Sequence, residues 1–240
     1  KYFGEVYKNF RRAEADKIPH SFDFDRDRLI VKDKKGNKIR GDIIGGIIAD
    51  AVAKKGDAIV YDLRCSKAIP EYFRNKGIRT FPSMVGHFNI KKLMRKKNAV
   101  FGMEMTGHYY FKKFHYCESP DFGLRKLAES ATTDKKTKKN INELAGPFMK
   151  YWHSEVINFP ARKRLSDWKK TAAKLKKEYA GGAVNFMDGI TVEFSNWWFN
   201  VRPSNTEPLI RLVMEANSKK IFEEKNRELR NLLRDWSSKY

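Results

Sequence analysis

Hydrophobic and polar positions follow two different periods along this chain, and the change from one to the other divides it. Between Ala58 and Met105, short apolar runs take turns with segments whose apolar residues recur every three or four positions. The runs Ala58–Leu63, Gly77–Phe81 and Ala99–Met105 predict strands. Lys67–Lys76 and Gly86–Lys97 predict helices, the first with Pro70 near its start and the second burying Ile90, Leu93 and Met94. Strand and helix in alternation over short connections predict βαβ units and a parallel sheet. Ahead of this block, Asp42 is placed to cap a helix whose apolar face is Ile44, Ile47, Ile48 and Ala51. Behind it, Arg125–Ser130 and Ile141–Met149 read as closing helices, separated by an exposed lysine-rich loop from Thr132 to Asn140.

At the start of the chain, residues 22–33 read as strand, acidic loop and strand, followed by the hairpin signal Lys35-Gly36-Asn37. After about residue 153 the period of two takes over. Glu155–Phe159, Val184–Met187, Ile190–Phe194, Trp197–Val201 and Leu209–Ala216 predict strands, with a break at Gly181-Gly182. A basic amphipathic helix over Arg162–Tyr179 and a last helix from about Ser218, with Leu229, Leu232, Leu233 and Trp236 on one face, frame them. Strands in close succession between two helices predict an α+β domain with an antiparallel sheet. The fold class is therefore α/β, a parallel-sheet βαβ domain followed by an α+β domain. No internal repeat is present.

Composition narrows the picture only a little. A hydrophobic fraction of 41% and an aromatic fraction of 13% belong to a folded chain and exclude a disordered one. No apolar run approaches the roughly 20 residues that span a bilayer. The first residues lack the pattern of a signal peptide and begin at Lys1 without Met, so an upstream segment is expected to have been removed. Cys65 and Cys117 are too few for a disulfide framework and lack metal-ligand spacing, which points to a reducing cytoplasm. The net charge of +21 suits a nucleic-acid binder as well as an enzyme of anionic metabolites. Its lysines and arginines, however, are spread over Lys91–Lys97, Lys135–Lys139, Arg162–Arg164 and Lys169–Lys177, mostly beside apolar residues at helical spacing. That is the distribution of solvated helix faces.

Four loops carry chemistry. Asp23-Phe24-Asp25-Arg26-Asp27-Arg28 sets three alternating carboxylates where they can converge on one hard cation such as Mg²⁺, although a solvated acidic turn has the same composition. Arg28 and Lys34 stand where a calcium-binding EF-hand would need Gly and Glu. Gly102-Met103-Glu104-Met105-Thr106-Gly107-His108 follows a predicted parallel strand, where open α/β sheets bind ligands, and Glu104 can accept hydrogen bonds from paired sugar hydroxyls. A satisfied structural Glu and His fit that segment equally. Arg202-Pro203-Ser204-Asn205-Thr206-Glu207-Pro208 offers a guanidinium, hydroxyls and backbone N–H groups to a phosphate, or is an ordinary polar turn. Val85-Gly86-His87 opens a helix, whose first N–H groups favour anions and where His87 can donate a proton or serve structure alone.

In this order the four loops resemble the α-D-phosphohexomutase superfamily of the phosphomannomutase/phosphoglucomutase type, with its metal loop D-G-D-x-D-R, sugar loop G-E-M-S-G-H and phosphate loop R-x-S-N-T-x-P. The resemblance runs over nearly the whole chain and includes Asp188-Gly189 before the last strands. It implies that Asp23, Asp25 and Asp27 bind Mg²⁺ and that Arg28 lies near the transferred phosphate. It implies sugar contacts for Glu104 and Thr106 with His108 nearby, and a phosphate grip for Arg202, Ser204, Asn205 and Thr206. His87 matches a helix-start His near the site, and Arg64 falls where many relatives have Lys. Three segments follow: residues 1–38 as the end of domain 2, 39–150 as domain 3 and 151–240 as domain 4. Phe24 and Arg26 are bulkier than the family's usual residues, and Thr106 keeps the hydroxyl of the usual Ser. Met105 and Asn205 favour the mannose/glucose mutases over their glucosamine relatives. The family's phosphoserine loop, Ser-His-Asn-Pro, occurs nowhere in the chain. The resemblance thus implies the C-terminal part of an isomerase of hexose 1- and 6-phosphates, inactive without the serine domain. A phosphoglucosamine mutase relative, a non-catalytic phosphosugar-binding protein and a nucleic-acid module are the rival readings, and neither nucleic acid nor membrane is expected as a partner.

Overall fold

The computed structural model describes residues 17–132, 140–160, 168–204 and 206–239, with the backbone alone for Thr132 and residues 235–239. It divides into two compact units, Lys1–Met149 and Lys150–Tyr240. The expected loop over 133–139, the start of the basic helix at 162–167 and the Trp236 side chain lie outside the described residues.

The first unit opens with a small antiparallel sheet of β1 (His20–Phe22), β2 (Leu29–Lys32) and β3 (Lys38–Ile39). Helix α1 (Gly41–Val52) leads into β4 (Ala58–Asp62), α2 (Ala68–Asn75), β5 (Arg79–Ser83), α3 (His87–Lys97) and β6 (Phe101–Met103). β4 pairs in parallel with both β5 and β6, as the alternating pattern predicts. The sheet then departs from that expectation. β7 (Tyr109–Phe111) and β8 (Cys117–Glu118) add antiparallel strands, giving a mixed sheet in the order β5-β4-β6-β7-β8. Helices α4 (Pro120–Thr132) and α5 (Ile141–Ala145) complete the unit, and a 3₁₀ turn over Gly146–Phe148 finishes the segment expected as one helix.

Adjacent residues of β6 point to opposite faces, and each faces a helix. A Cβ at Gly102 would meet the Met94 sulfur and Ile90 of α3, so glycine allows that helix to lie close on the sheet. Met103 and Tyr109 press against Gly45 of α1 on the other face. Ile90 and Met94 are fully buried on the Gly102 face, each contributing about 1.5–3 kcal/mol of burial energy. Asp42 does not cap α1. The N-cap is Arg40, which makes no side-chain capping bond, and Asp42 sits in the first turn, fully buried. Its carboxylate accepts hydrogen bonds from the Arg40 guanidinium and from the N–H of Ser66, so the strong polar partners there outcompete a capping role.

In the second unit, β9 (Trp152–His153), β10 (Ile157–Pro160), β11 (Ala183–Asn185), β12 (Ile190–Glu193), β13 (Trp197–Pro203) and β14 (Leu209–Ala216) form an antiparallel sheet. Alternate residues Trp197, Phe199 and Val201 of β13, with Leu212 and Met214 of β14, enter one core with Leu175 of α6 (Trp168–Glu178) and with Leu229 and Leu233 of α7 (Lys219–Lys239). The intervening residues Trp198, Asn200, Arg202 and Glu215 are buried on the other face, so the polar set is kept out of the apolar core. Among the described residues no helix is long and apolar enough to cross a membrane.

Two glycines of the first unit separate tight packing from open space. A Cβ at Gly41 would come within 2.5 Å of the Gly107 nitrogen and 2.6 Å of the Met105 carbonyl, both backbone atoms. Gly146 has helical φ and nothing within 4 Å of such a Cβ. Gly41→Ala is therefore expected to destabilise the unit by about 1–3 kcal/mol, and Gly146→Ala, strained only by its helical conformation ahead of Pro147, to cost less, as read by urea unfolding. Equal midpoints for the two variants would contradict this packing.

Candidate functional site

Two loops of the first unit are bound to each other at the carboxyl end of β6. The Leu29 N–H donates to the Gly107 carbonyl at 3.1 Å, and Gly107, at φ 100°, leaves no room for a side chain beside the Leu29 oxygen. Side chains reinforce the join. Arg28 Nε donates to His108 Nε2 at 3.3 Å, and the same ring nitrogen lies 3.2 Å from Asp27 Oδ2. His108 Nδ1 lies 3.1 Å from the Thr106 hydroxyl. The acidic loop and the Glu104 loop are one cluster.

Within the acidic loop, Asp23 Oδ1 accepts the backbone N–H groups of Asp27 and Arg28 at 3.1 and 3.0 Å, and Arg26 turns the chain through φ 58°. Burial acts to raise the Asp23 pKa, but the Arg28 N–H and guanidinium outweigh it and leave the carboxyl below its ordinary value. Asp23, Asp25 and Asp27 each offer a carboxylate oxygen within 4.8 Å of the other two. Asp27 Oδ1 is buried and accepts no hydrogen bond, the condition of an oxygen suited to a cation. Phe24 is fully exposed and Arg26 lies over the Phe22 ring at 4.9 Å, so the two bulky residues point away from the carboxylates.

Glu104 is 4% exposed. Its Oε1 accepts the Tyr110 hydroxyl at 2.6 Å, and its Oε2 lies 3.7 Å from Arg64 Nη2. Burial and the Glu104 charge raise the Tyr110 pKa, which keeps that hydroxyl protonated and donating. Arg64 is itself buried and forks onto Asp62, with Nε–Oδ1 at 3.0 Å and Nη2–Oδ2 at 2.7 Å. Burial acts to lower its pKa, and the Asp62 charge and hydrogen bonds more than offset that. Asp62 Oδ2 also accepts the Met105 N–H at 2.9 Å, fixing the start of the Glu104 loop. His87 is exposed at the start of α3, with Nδ1 4.0 Å from Glu118. Lys91, one turn further on, lies 2.7 Å from Glu118 and 5.5 Å over the Tyr110 ring. His87 is thus connected to the Glu104 cluster through Glu118, Lys91 and Tyr110.

In the second unit Arg202 and Ser204 are buried and Thr206 is exposed, while Asn205 lies outside the described residues. Arg202 Nη1 lies 3.5 Å from Asp188 Oδ1. Gly189, at φ 68°, folds so tightly that a Cβ would come within 2.7 Å of the Arg202 Cα. The Ser204 hydroxyl takes long hydrogen bonds from the N–H groups of Thr206 and Glu207, at 3.4 and 3.3 Å. Arg202 faces Arg211 directly across the β13–β14 pair.

Family models match two stretches: residues 40–151 fit "Phosphoglucomutase/phosphomannomutase, alpha/beta/alpha domain III", and residues 157–232 fit the C-terminal domain of the same family. The chain belongs to the phosphoglucomutase/phosphomannomutase family. Among relatives, a phosphomannomutase of Methanocaldococcus jannaschii is 44% identical over 214 residues, 88% of this chain and 46% of the relative. A phosphomannomutase of Escherichia coli K12 is 33% identical over 224 residues, 90% of this chain and 47% of its own. A crystal structure of a family protein from Burkholderia thailandensis matches with a TM-score of 0.75 at 23% identity, over 97% of this chain and 50% of that one. N-acetylphosphoglucosamine mutase of Aspergillus fumigatus, in complex with GlcNAc-6P and magnesium, matches with a TM-score of 0.55 at 15% identity, over 91% and 48%. The chain spans about half the length of the relatives it matches.

Four further residues join these clusters although no motif marks them. Asp62 and Tyr110 hold the Glu104 loop, Lys91 borders it, and Arg211 opposes Arg202. Arg211 was open to discovery: counting back across the turn between β13 and β14 sets two arginines opposite each other, an unfavourable pair unless an anion or nearby carboxylates offset it. Asp188 and Glu207 supply the carboxylates here. Tyr110 gives no such signal, because nothing in the local pattern marks its hydroxyl as bound.

Removing the cation from the buried cluster is more costly than removing the hydroxyl. Arg64→Met leaves Asp62 and Glu104 buried together and is expected to cost about 3–5 kcal/mol, whereas Tyr110→Phe is expected to cost about 1.5–3 kcal/mol. Urea unfolding of both variants checks the ranking, and an Arg64→Met protein as stable as its parent would contradict the arrangement.

Proposed function

We propose that this chain is the sugar- and phosphate-recognising part of an enzyme that interconverts hexose 1-phosphate and hexose 6-phosphate, mannose or glucose being the sugar. Residues 1–38 end the second domain, 39–150 form the third and 151–240 the fourth. The observation that carries the reading is Glu104, a buried carboxylate pinned at the carboxyl end of the sheet and joined through Thr106, His108 and Gly107 to the acidic loop. A carboxylate so held accepts two neighbouring sugar hydroxyls without rearranging, which suits a sugar that binds in two orientations. Thr106 and His108 add polar contacts, and Arg64 orients Glu104 from behind.

Arg202, Ser204, Asn205 and Thr206 grip the phosphate that stays in place, Arg202 by charge and the others by hydroxyl, amide and N–H groups. Arg28 offers its guanidinium to the phosphate that moves. His87 lies at a helix start suited to an anion and to proton transfer. Asp23, Asp25 and Asp27 fit Mg²⁺ by donor type and by the buried Asp27 oxygen that accepts no hydrogen bond. When bound, the ion neutralises charge on the phosphoryl oxygens. The donor is a phosphoserine supplied by the family's first domain, which passes its phosphoryl group to the sugar and regains one from the other end of the bisphosphate. The chain by itself binds phosphosugar and does not turn it over, and it works in the cytoplasm.

Two measurements bear on this. Calorimetric titration with glucose 1-phosphate and mannose 1-phosphate is expected to show binding that Glu104→Ala and Arg202→Ala each weaken by about tenfold or more. Failure of both sugars to bind the folded chain would defeat the proposal for this chain. Titration with Mn²⁺ as a paramagnetic probe for the Mg²⁺ site is expected to fill one site that the Asp23→Asn/Asp25→Asn pair abolishes. Unchanged Mn²⁺ binding in that pair would remove the acidic loop from the account.

A further inference from the structure

A concavity of the first unit lies at the opposite end of β6 from Glu104. It has a volume of about 540 Å³ and is lined by Ala51, Val52, Val100, Phe111 and Phe122, with Lys112, Lys113 and Lys126 around it. Val100 immediately precedes β6 and Glu104 immediately follows it. Three strand residues therefore lie between Val100 and Glu104, a separation of roughly 13 Å along the strand. None of the cavity residues belongs to the Glu104 cluster or the acidic loop.

The lining combines an apolar floor with one sign of charge. Phe111 and Phe122 meet edge to face with centroids 4.9 Å apart, and both are at least nine-tenths buried in the fold. Lys113 and Lys126 stand over the Phe122 ring at 5.7 and 5.5 Å, which holds both ammonium groups beside the aromatic pair. Lys126 shares Glu129 with Arg125, at 2.6 and 2.8 Å. Among the described residues no carboxylate pairs with Lys112 or Lys113. Cations gathered around a low-dielectric concavity repel one another and attract an anion. The volume falls within the range that takes a small organic molecule.

We propose that this cavity binds a small organic anion with an apolar body, the body set against Ala51, Val52, Val100 and the accessible edge of Phe122 and its acidic group beside Lys112 and Lys113. A bare phosphate or sugar phosphate leaves the apolar lining uncovered, and a neutral molecule leaves Lys112 and Lys113 unanswered. The ligand class is thus distinct from the hexose phosphates proposed for the Glu104 loop, and the inference does not rest on that reading.

The test uses the 240-residue chain and anilinonaphthalene sulfonate, an aromatic sulfonate whose fluorescence reports an apolar environment. One saturable site is expected, with affinity falling as salt is raised to about 1 M, where charges are screened beyond about 3 Å. The Lys112→Glu/Lys113→Glu pair is expected to raise Kd by about tenfold or more. Lys219→Glu/Lys220→Glu, an equal charge change on exposed α7, is expected to leave it unchanged. N-phenylnaphthylamine, which lacks the sulfonate, is expected to bind about tenfold more weakly. Circular dichroism confirms that each variant is folded. Equal effects of the two charge-reversal pairs, equal affinity for the neutral probe, or no saturable site in the folded chain would overturn the proposal.

Discussion

Asp62 ends a parallel strand with both carboxylate oxygens engaged, and much of the site hangs on it. One oxygen takes Arg64 Nε and the Arg64 N–H, and the other takes Arg64 Nη2 and the Met105 N–H. An ion pair this deeply buried gives up hydration that attraction alone scarcely returns. What it provides is position: the guanidinium is turned so that Glu104 lies beside it, and the loop carrying Glu104 is fixed at its first peptide. From there the order passes through Tyr110, Thr106 and His108 to Arg28 and the three aspartates. A chain of polar contacts, Arg64 to Glu104, Glu104 to His108 and His108 to Arg28 and Asp27, thus links the end of β4 to the acidic loop.

The two units build their polar clusters in different ways. In the first, backbone closeness does most of the work, since Gly41 and Gly107 let three segments approach with no side chain between them. In the second, the period of two separates an apolar face from a polar one, and the polar face holds two arginines opposite each other. Asp188 and Glu207 offset their charge in this structure. A phosphate at the loop proposed to hold it would have to compete with those carboxylates.

Much of this was legible in the sequence, and the exceptions have physical causes. The alternation of strands and helices gave the parallel core, and the four loops stood out by residue type and spacing. The β7–β8 hairpin did not stand out. Its strands are three and two residues long, and its turn places His115 and Tyr116 at positive φ in place of the glycine or asparagine that usually signals one. Helix α4 begins at Pro120, five residues ahead of the expected start, because Gly123 reads as a break. In the fold it is a close contact, with Ile48 and Tyr109 packed where a side chain would otherwise stand. Asp42 looked like a cap because its neighbours in sequence suggest one, while its partners, Ser66 among them, are brought by the fold. The sequence marked the polar loops by residue type, and tertiary packing decided which of them meet.

The central claim is that the Glu104 loop and the Arg202 loop of this chain recognise one class of ligand, a hexose phosphate. Backbone amide NMR of the chain titrated with glucose 1-phosphate or mannose 1-phosphate tests it most directly, since it reports every loop at once. The account predicts saturable shifts concentrated at residues 104–108 and 202–206, with the cavity around Phe122 undisturbed. Shifts confined to other surfaces, or none in either loop of the folded chain, would contradict it.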